Sequence, residues 1–268
     1  MVIALVGVGT MGEAVLSGLA RWGKHELLVV NRRTERDREL EERYEGVRAA
    51  TLEEAAASAD VLVVAVKPRG VCEVLGQAAG HLREQAVVVS LAAGMPLAVM
   101  ERQLREGQPL VRVMPNTPSL VGRGVSALSP SQSTSEEDLE RVREVMQACG
   151  HVVVVPEDQQ DVVTSISGSG PAYLFHVADA MVEAAVQMGL SRPTATDLVA
   201  HTIDGAGAML REPGAHPASL REGVTSPGGT TAQALRVLDQ DGVRSAFSRA
   251  MHACRDRSAE MSREAEQA

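Results

Sequence analysis

Residues 2–12 read Val-Ile-Ala-Leu-Val-Gly-Val-Gly-Thr-Met-Gly, and this stretch decides the fold of the first half of the chain. The apolar run Val2–Val6 predicts a buried β-strand, and the glycines after it form the GxGxxG pattern of dinucleotide-binding turns. Gly7 permits a tight turn from strand to helix, Gly9 lets the backbone approach a pyrophosphate, and Gly12 allows close packing of helix on sheet. Free N–H groups at the helix start favour an anion. We expect cofactor contacts from Gly7, Gly9, Thr10, Met11 and Gly12.

The rest of the first half repeats this alternation of a short β-branched run and a longer amphipathic stretch, which predicts helices around a parallel sheet. One helix is expected to begin after Ser135, whose hydroxyl can cap it, and to run to about Cys149 with Gly150 as its stop. The fold class is therefore α/β, with a Rossmann-type dinucleotide-binding domain at residues 1–157. The predicted strands are Val2–Val6, Glu26–Val30, Val61–Val66, Ala86–Leu91, Leu110–Met114 and Val152–Val155, with a weaker one near Val125–Leu128.

The strand pattern ends near Pro156, and helical periodicity interrupted by Gly- and Pro-containing turns continues from there. Residues 158–268 are therefore predicted to form an all-α domain. Its first long helix, Pro171–Met188, is apolar over most of its circumference and must be covered on nearly every side. We expect the second subunit of a homodimer to bury the exposed sides of this helix. The alternative is a monomer in which the first domain buries them. The acidic tail Arg255–Ala268 is expected to be a solvated helix end that frays.

The composition of the 268 residues excludes several functions. With 26 Lys and Arg against 35 Asp and Glu, the formal net charge is -9, which argues against nucleic acid, and an aromatic content of 2% leaves no base-stacking platform. No apolar run is long enough to cross a membrane. Because Cys72, Cys149 and Cys254 lie far apart without metal-ligand spacing, we expect no metal site and a reducing, cytoplasmic location.

The end of the second predicted strand indicates which dinucleotide binds. An acidic residue there would bond the ribose 2'-hydroxyl of NAD, but the sequence reads Asn31-Arg32-Arg33-Thr34. Two arginines beside a hydroxyl group suit a phosphate monoester, so we predict NADPH as the cofactor, with NADH as the alternative. The competing interpretation is that Arg32 and Arg33 are solvated residues at a helix start.

Three more loops follow strands of the predicted sheet: Ala65–Pro68, Ala92–Gly94 and Met114–Pro118. Ligands of open α/β sheets lie beyond the carboxyl ends of the strands, so these loops should face the cofactor. Prolines and glycines fix their backbones, and Lys67 and Asn116 are their polar candidates. The further cofactor-binding residues predicted on this basis are Asn31, Ala65, Val66, Lys67, Pro68, Ala93 and Asn116.

Two polar, glycine-rich stretches precede helices of the second domain. Ser165–Pro171 is expected to end a loop and open the long apolar helix, and Thr225–Ala232 is expected to open a later one. Free N–H groups of Gly229, Thr230 and Thr231, together with hydroxyl groups, would form a carboxylate site in this acidic protein. Simple helix capping is the alternative role.

Residues 220–239 read Leu-Arg-Glu-Gly-Val-Thr-Ser-Pro-Gly-Gly-Thr-Thr-Ala-Gln-Ala-Leu-Arg-Val-Leu-Asp and resemble the signature of pyrroline-5-carboxylate reductases. Other blocks occur in the family's order and approximate spacing, so the resemblance covers nearly the whole chain. These blocks are Gly7–Gly12, Ala65–Pro68, Ala92–Gly94, Asn116–Pro118 and Ser167–Tyr173. The resemblance implies an oxidoreductase that reduces 1-pyrroline-5-carboxylate to L-proline with NAD(P)H, the last step of proline biosynthesis. It also implies dimers, often five of them in a ring.

The resemblance further implies that Thr231 contacts the ring nitrogen of the substrate and that Ser226 is an active-site serine, so these two are the catalytic candidates. A threonine hydroxyl is a weak acid, and we expect Thr231 to orient the substrate or relay a proton from water. Family members often carry Ala at the position of Thr230. The residues expected to bind the substrate carboxylate are Gly228, Gly229, Thr230 and Thr231.

Two other functions start from a similar fingerprint. A dehydrogenase of the β-hydroxyacid or 6-phosphogluconate type needs a catalytic lysine on its helical domain, but the only lysines here are Lys24 and Lys67. A non-catalytic NADPH-binding regulator would not need an intact Ser226–Thr231 segment. Four histidines lack partner spacing and are expected to be surface or interface residues: His176, His201, His216 and His252.

Overall fold

The computed structural model describes residues 1–267; Ala268, which ends the predicted helical domain and its tail, lies outside the described residues. The chain forms two compact units. The first contains residues 1–169 and the end of the last helix from Ala253 onward, and the second is Gly170–His252. The predicted boundary between residues 157 and 158 follows the last strand and stays a prediction.

Eight strands form one sheet in the order β3-β2-β1-β4-β5-β6-β7-β8. Neighbouring strands are parallel except β6 and β7, which are antiparallel. The order reverses between β1 and β4, as in doubly wound dinucleotide-binding folds, so the predicted Rossmann-type α/β class is confirmed. The strands are β1 (Val2–Val6), β2 (Glu26–Val30), β3 (Val47–Ala49), β4 (Val61–Val64), β5 (Val87–Ser90), β6 (Leu110–Met114), β7 (Gly124–Pro130) and β8 (Gly150–Val154).

The sheet is buried on both faces because alternate residues of each strand enter two apolar clusters. In β1, Ile3 and Leu5 pack with α1 and α6, whereas Ala4 and Val6 pack with α3, α4 and α5. Capping boxes at Thr51 and Ser135 begin α3 and α6. The helices of the first unit are α1 (Thr10–Trp22), α2 (Thr34–Arg43), α3 (Leu52–Ser58), α4 (Val71–Ala79), α5 (Leu97–Glu101), α6 (Glu136–Gln147) and α7 (Gln160–Val163).

The second unit is helical and exposes much of its apolar surface. Its small core is Val182 of α8 with Ala195 and Val199 of α9. The remaining helices are α8 (Gly170–Gln187), α9 (Arg192–Leu210), α10 (Pro217–Gly223), α11 (Thr230–Gln240) and α12 (Val243–Gln267). Large apolar side chains of this unit that stay exposed in the single chain are Leu174, Phe175, Met181, Met188, Leu190, Leu198, Met209, Leu210, Val224, Val237, Leu238 and Phe247.

The first unit differs from the prediction at one edge strand and at the end of one helix. The short edge strand β3 was not expected, because only Val47 of its three residues is buried. Gly150 was expected to stop a helix, but α6 ends at Gln147 and Gly150 begins β8 instead. Its φ of 143° and its approach to Gly124 explain the glycine, because a Cβ at position 150 would lie 2.2 Å from the Gly124 oxygen.

Two predictions for the C-terminal half are also wrong. Ser165–Pro171 is not a loop, because Thr164–Gly168 is a π-helical turn between α7 and α8. The tail does not project into solvent as a frayed end. Ser258 of α12 is buried and donates a 2.6 Å hydrogen bond to Asp161, and Ala265 packs against the core of the first unit. One face of the tail helix therefore packs against the first unit, although most of the tail sequence is charged or polar.

Candidate active site

The carboxyl ends of the parallel strands bring the predicted cofactor segments of the first unit to one edge of the sheet. Val6, the last residue of β1, pairs with Val30 at the end of β2 and with Val64 at the end of β4. Val64 in turn pairs with Ser90 at the end of β5. The strand order reverses at β1 and β4, and this is the place where open α/β sheets bind ligands.

The glycines of the fingerprint have three distinct environments. Gly7 has a φ of 80°, and a Cβ there would lie 2.3 Å from Val66 Cγ1. A Cβ on Gly12 would lie 3.1 Å from that of Ala65, so helix and strand are in close contact. A Cβ on Gly9 would meet nothing within 4 Å, which leaves its surface open to a ligand. These environments fit the tight turn, the helix packing and the ligand approach that the sequence predicts.

The start of α1 offers unpaired donors beside Gly9. Gly9 is the N-cap residue and forms no side-chain cap, and the first main-chain bond of the helix runs from the N–H of Glu13 to its oxygen. The N–H groups of Thr10 and Met11 have no acceptor within residues 1–267. Oriented N–H groups at a helix N-terminus attract phosphate oxygens.

The side chain of Asn31 supports the glycine loop. Its Oδ1 accepts a 2.8 Å hydrogen bond from the N–H of Val8, and its Nδ2 donates one of 2.8 Å to Asp37. Burial raises the pKa of Asp37, although the hydrogen bonds from Asn31 lower it in part. Each end of the Asn31 amide therefore has one protein partner.

Arg32 and Arg33 are exposed, and neither guanidinium has a hydrogen bond or ion pair in the described part of the chain. The nearby Arg36 is different, because it donates to Glu13, Glu39 and the oxygen of Val8. Of these three arginines, Arg32 and Arg33 therefore have guanidinium groups that could bind a 2'-phosphate without giving up a protein partner.

A cluster around Glu13 supports the glycine loop from the side of α2. Glu13, in the first turn of α1, accepts hydrogen bonds from Arg36, Arg43 and Tyr44. Burial alone would raise the pKa of Glu13, but the hydrogen bonds from Arg36 and Tyr44 outweigh it and lower the pKa below its usual value. The carboxylate therefore joins α1 to α2 as an anion.

We expect Glu13→Gln to be less stable than the unchanged protein at pH 7 and the difference to vanish in acid. A carboxyl group whose pKa is lower in the folded state stabilises the fold above its unfolded pKa, and this contribution is lost as the pH falls through the folded pKa. Urea denaturation of both proteins from pH 7 down to about pH 3 measures this. A difference in unfolding free energy that does not change with pH would contradict the role of the charge.

The other predicted cofactor residues of the first unit follow β4 and β5. Ala65, Val66 and Pro68 are partly buried after β4, and the Lys67 side chain is exposed without a partner within residues 1–267. After β5, Ala93 is partly buried beside Gly94, whose φ is 68°. Gly94 also meets α12, because a Cβ there would lie 2.9 Å from the Cβ of Met261.

Asn116 follows β6 and is 7% exposed. Its Oδ1 accepts a 2.9 Å bond from the N–H of Val125, and its Nδ2 donates one of 3.0 Å to the oxygen of Ser167. Like Asn31, it has one protein partner at each end of its amide.

The predicted substrate segment lies in the second unit, at the start of α11. Gly228 has a φ of 72° and Gly229 is the N-cap residue without a side-chain cap. One expectation is wrong: the N–H of Gly229 is not free, because it donates a 3.0 Å bond to the oxygen of Ser226. Within the described chain, the N–H groups of Thr230 and Thr231 have no acceptor.

The hydroxyl groups of this segment are also available. Ser226 and Thr230 are exposed, Thr231 is partly buried, and none of the three side chains has a hydrogen-bond partner within residues 1–267. Simple capping would occupy these hydroxyl groups with the helix N–H groups, and it does not. Unused N–H and hydroxyl donors at a helix start can bind a carboxylate.

Metal and membrane sites are not found in the described residues. No group of three or more His, Cys, Asp or Glu side chains within residues 1–267 could hold a metal ion. No helix in this range has the length and apolar character needed to cross a bilayer.

Fold and site together define a dinucleotide-dependent oxidoreductase with a helical C-terminal region. A sequence profile described as "Pyrroline-5-carboxylate reductase dimerisation" matches residues 157–261, and one described as "NADP oxidoreductase coenzyme F420-dependent" matches residues 2–94. The chain belongs to the pyrroline-5-carboxylate reductases, which make proline from 1-pyrroline-5-carboxylate with NAD(P)H. The dimerisation profile indicates that the chain oligomerises.

Similar proteins agree over the full length. The chain is 45% identical to the pyrroline-5-carboxylate reductase of Corynebacterium melassecola, covering 97% of this chain and 98% of the relative. It is 36% identical to that of Escherichia coli (strain K12), with the same coverage. The solved reductase of Coxiella burnetii has a TM-score of 0.92 at 36% identity, covering 97% of this chain and 98% of the other. That of Plasmodium falciparum, solved with NADP bound, has a TM-score of 0.86 at 28% identity and covers 97% of both.

Sequence reasoning missed several residues that shape the site. Glu13 and Asp37 support the glycine loop, and the main-chain oxygen of Ser167 accepts a hydrogen bond from Asn116. Of the three, only Ser167 lies in a motif identified in the sequence. Glu13 could have been suspected, because an acid in the first turn of α1 faces an arginine-rich α2. No local signal pointed to Asp37, and the motif around Ser167 did not indicate that its main-chain oxygen would bind Asn116.

Proposed function

We propose that this chain reduces 1-pyrroline-5-carboxylate to L-proline, as the last step of proline biosynthesis, with NADPH as the preferred cofactor and NADH as the alternative. The observation that carries the proposal is the set of unused donors at the start of α11, where Thr230 and Thr231 can receive a carboxylate. This set occurs on a chain that also carries an open dinucleotide loop at Gly9.

The first unit holds the cofactor in this proposal. The N–H groups of Thr10 and Met11 receive the pyrophosphate, and Arg32 and Arg33 receive the 2'-phosphate. The segments Ala65–Pro68 and Ala92–Gly94 line the sheet edge beyond β4 and β5. When bound, the reduced nicotinamide supplies a hydride to the imine carbon.

The second unit holds the substrate by its carboxylate. The positive end of α11 and the N–H groups of Thr230 and Thr231 bind the anion, and Gly228 and Gly229 allow close approach of the main chain. Reduction of C=N requires one hydride at carbon and one proton at nitrogen. The free hydroxyl of Thr231 bonds the ring nitrogen and relays that proton from water, and Ser226 orients the same end of the substrate.

Thr231→Ala is expected to lower kcat about tenfold while leaving the fold intact, because one hydrogen bond to the reacting nitrogen is lost. Initial rates of NADPH oxidation, with thermal unfolding as the check on folding, measure this. Thr230→Ala is the matched control: it keeps the main-chain N–H, and a smaller loss is expected. Unchanged kinetics of Thr231→Ala would remove Thr231 from the site.

The reaction itself is tested by the loss of NADPH absorbance when purified protein meets 1-pyrroline-5-carboxylate. Parallel reactions contain NADH or a six-membered cyclic imine carboxylate. Rapid, pyrroline-selective oxidation of NADPH is the expected result. Faster oxidation of NADH would overturn the cofactor preference, and no turnover despite tight NADPH binding would favour a regulator.

The assembly proposed here is a homodimer, with a ring of five dimers as the larger form. Exposed apolar side chains such as Leu174, Phe175 and Met181 support it, because water-facing clusters of this kind mark interfaces. The free cysteines Cys72 and Cys149 agree with a reducing compartment, and we place the reaction in the cytoplasm. Residues 1–157 and 158–268 remain our proposed domains.

A further inference from the structure

The side chain of Asn116 connects two segments that are far apart in sequence. Its Nδ2 donates a 3.0 Å hydrogen bond to the main-chain oxygen of Ser167, 51 positions away. Its Oδ1 accepts a 2.9 Å bond from the N–H of Val125 at the start of β7. Because Asn116 is only 7% exposed, neither bond competes with bulk water.

The segment that receives this bond is an irregular turn. Thr164–Gly168 is π-helical, and the N–H of Ser169 donates a 2.8 Å bond to the oxygen of Thr164. Single π-helical turns are rare and are frequently found at functional sites. The turn meets β6 at a second point as well, because a Cβ on Gly168 would lie 2.6 Å from Met114 Cε.

The sheet topology places this contact on the nicotinamide side of the proposed cofactor site. Arg32 and Arg33 at the end of β2 mark the adenosine half, and Gly9 after β1 marks the pyrophosphate. The nicotinamide half therefore extends beyond β4, toward β5 and β6. Asn116 and the π-helical turn stand at the end of β6.

We propose that Asn116 is a positioning residue that fixes the π-helical turn Thr164–Gly168 beside the nicotinamide end of the site. This inference rests on the proposed function, because it assigns the turn a place in hydride transfer. An amide suits the task, since one side chain must accept from an N–H and donate to a carbonyl at once. The turn affects the orientation of the reacting groups, so its displacement reduces turnover more than NADPH affinity.

The decisive variant is Asn116→Asp, which keeps the size and the acceptor but cannot donate to the Ser167 oxygen while ionised. At about pH 8 its kcat is expected to be at least about tenfold below that of the unchanged enzyme. Protonation restores a donor; burial and the facing Ser167 oxygen raise the pKa of a carboxyl group at this position, against the lowering effect of the Val125 N–H. The ratio of the two kcat values should therefore recover as the pH falls to about 5.5.

Asn116→Ala is the control, because it loses the donor at every pH and should show no recovery. NADPH dissociation constants, from fluorescence titration without substrate, should stay within about threefold of the unchanged enzyme for both variants. An Asn116→Asp variant whose kcat at pH 8 equals that of the unchanged enzyme would overturn the proposal. A loss of NADPH affinity as large as the loss of kcat would also overturn it, in favour of direct cofactor contact.

A second route disturbs the turn without altering Asn116, in case its variants fold poorly. Gly168→Ala places a methyl group against Met114 and should lower kcat. The double variant Gly168→Ala with Met114→Ala restores the space and should recover most of the activity. Equal activities of the single and double variants would contradict a role for the position of the turn. Activity of the unchanged enzyme with 1-pyrroline-5-carboxylate tests the proposed function separately.

Discussion

Replacing Gly7 by alanine is expected to lower the free energy of unfolding by about 2–5 kcal/mol, the largest stability effect that we predict for a single residue. The φ of 80° disfavours a side chain, and the added Cβ would lie 2.3 Å from Val66 Cγ1 and 3.0 Å from the Val66 nitrogen. Because a main-chain atom is among the neighbours, relaxation of the Val66 side chain alone cannot relieve the contact. Urea denaturation measures the loss.

Gly9→Ala is the matched comparison, because the same methyl group at position 9 meets no protein atom within 4 Å. Its φ of -86° suits any residue, so the stability should change by less than about 1 kcal/mol. In the proposed function this space receives the pyrophosphate, so the methyl group should raise the NADPH dissociation constant at least about tenfold. Unchanged NADPH affinity in Gly9→Ala would contradict the place given to the cofactor.

The double variant Arg32→Glu with Arg33→Glu should reverse the cofactor preference. Two charge-assisted contacts to a phosphate are lost and two repulsive charges are added, so kcat/KM with NADPH should fall at least about a hundredfold. With NADH, which lacks the 2'-phosphate, it should change by no more than about threefold. Steady-state kinetics with both cofactors give the ratio.

A charge-matched control separates a local effect from the change in net charge. Arg102 and Arg105 are exposed and have no ion pair in the described residues, and they precede β6 rather than following a strand. The double variant Arg102→Glu with Arg105→Glu changes the net charge by the same amount and should leave the preference for NADPH over NADH unchanged. If the Arg32 and Arg33 variant kept the preference too, the two arginines would be solvated residues of a helix start.

Much of the sheet could be predicted because its strands are buried on both faces and appear as continuous β-branched runs. Val61–Val64 and Val87–Ser90 are fully buried examples. The edge strand Val47–Ala49 has no such run, and it forms because β2 offers a free edge. The antiparallel direction of β7 could not be predicted from the sequence either, because it depends on how residues 115–123 reverse the direction of the chain.

The glycine roles of the site were predictable, but the partners of its amides were not. Gly7, Gly9 and Gly12 belong to one local turn whose geometry follows from the sequence pattern. Asn31 and Asn116 are predicted cofactor residues, and the structure adds that their amides also bond the main chain of Val8 and Ser167. Such contacts join distant segments, and only the tertiary fold reveals them.

The tail shows a signal that sequence reasoning could have used. Cys254, Ser258, Met261 and Ala265 are spaced by four, three and four residues, which places them on one face of a helix. Charged neighbours such as Arg255 and Glu260 obscured this stripe. The Sγ of Cys254 lies 3.2 Å from the hydroxyl of Ser169, and Met261 packs on Gly94.

The last helix also affects the order in which the protein can fold during synthesis. Residues 1–169 leave the ribosome well before Ala253, and the whole segment Gly170–His252 is made in between, which takes on the order of ten seconds. During this interval the nascent first unit exposes the surface around Gly94 that α12 later covers. A chaperone that binds this surface would protect the growing chain until the end of α12 has been synthesised.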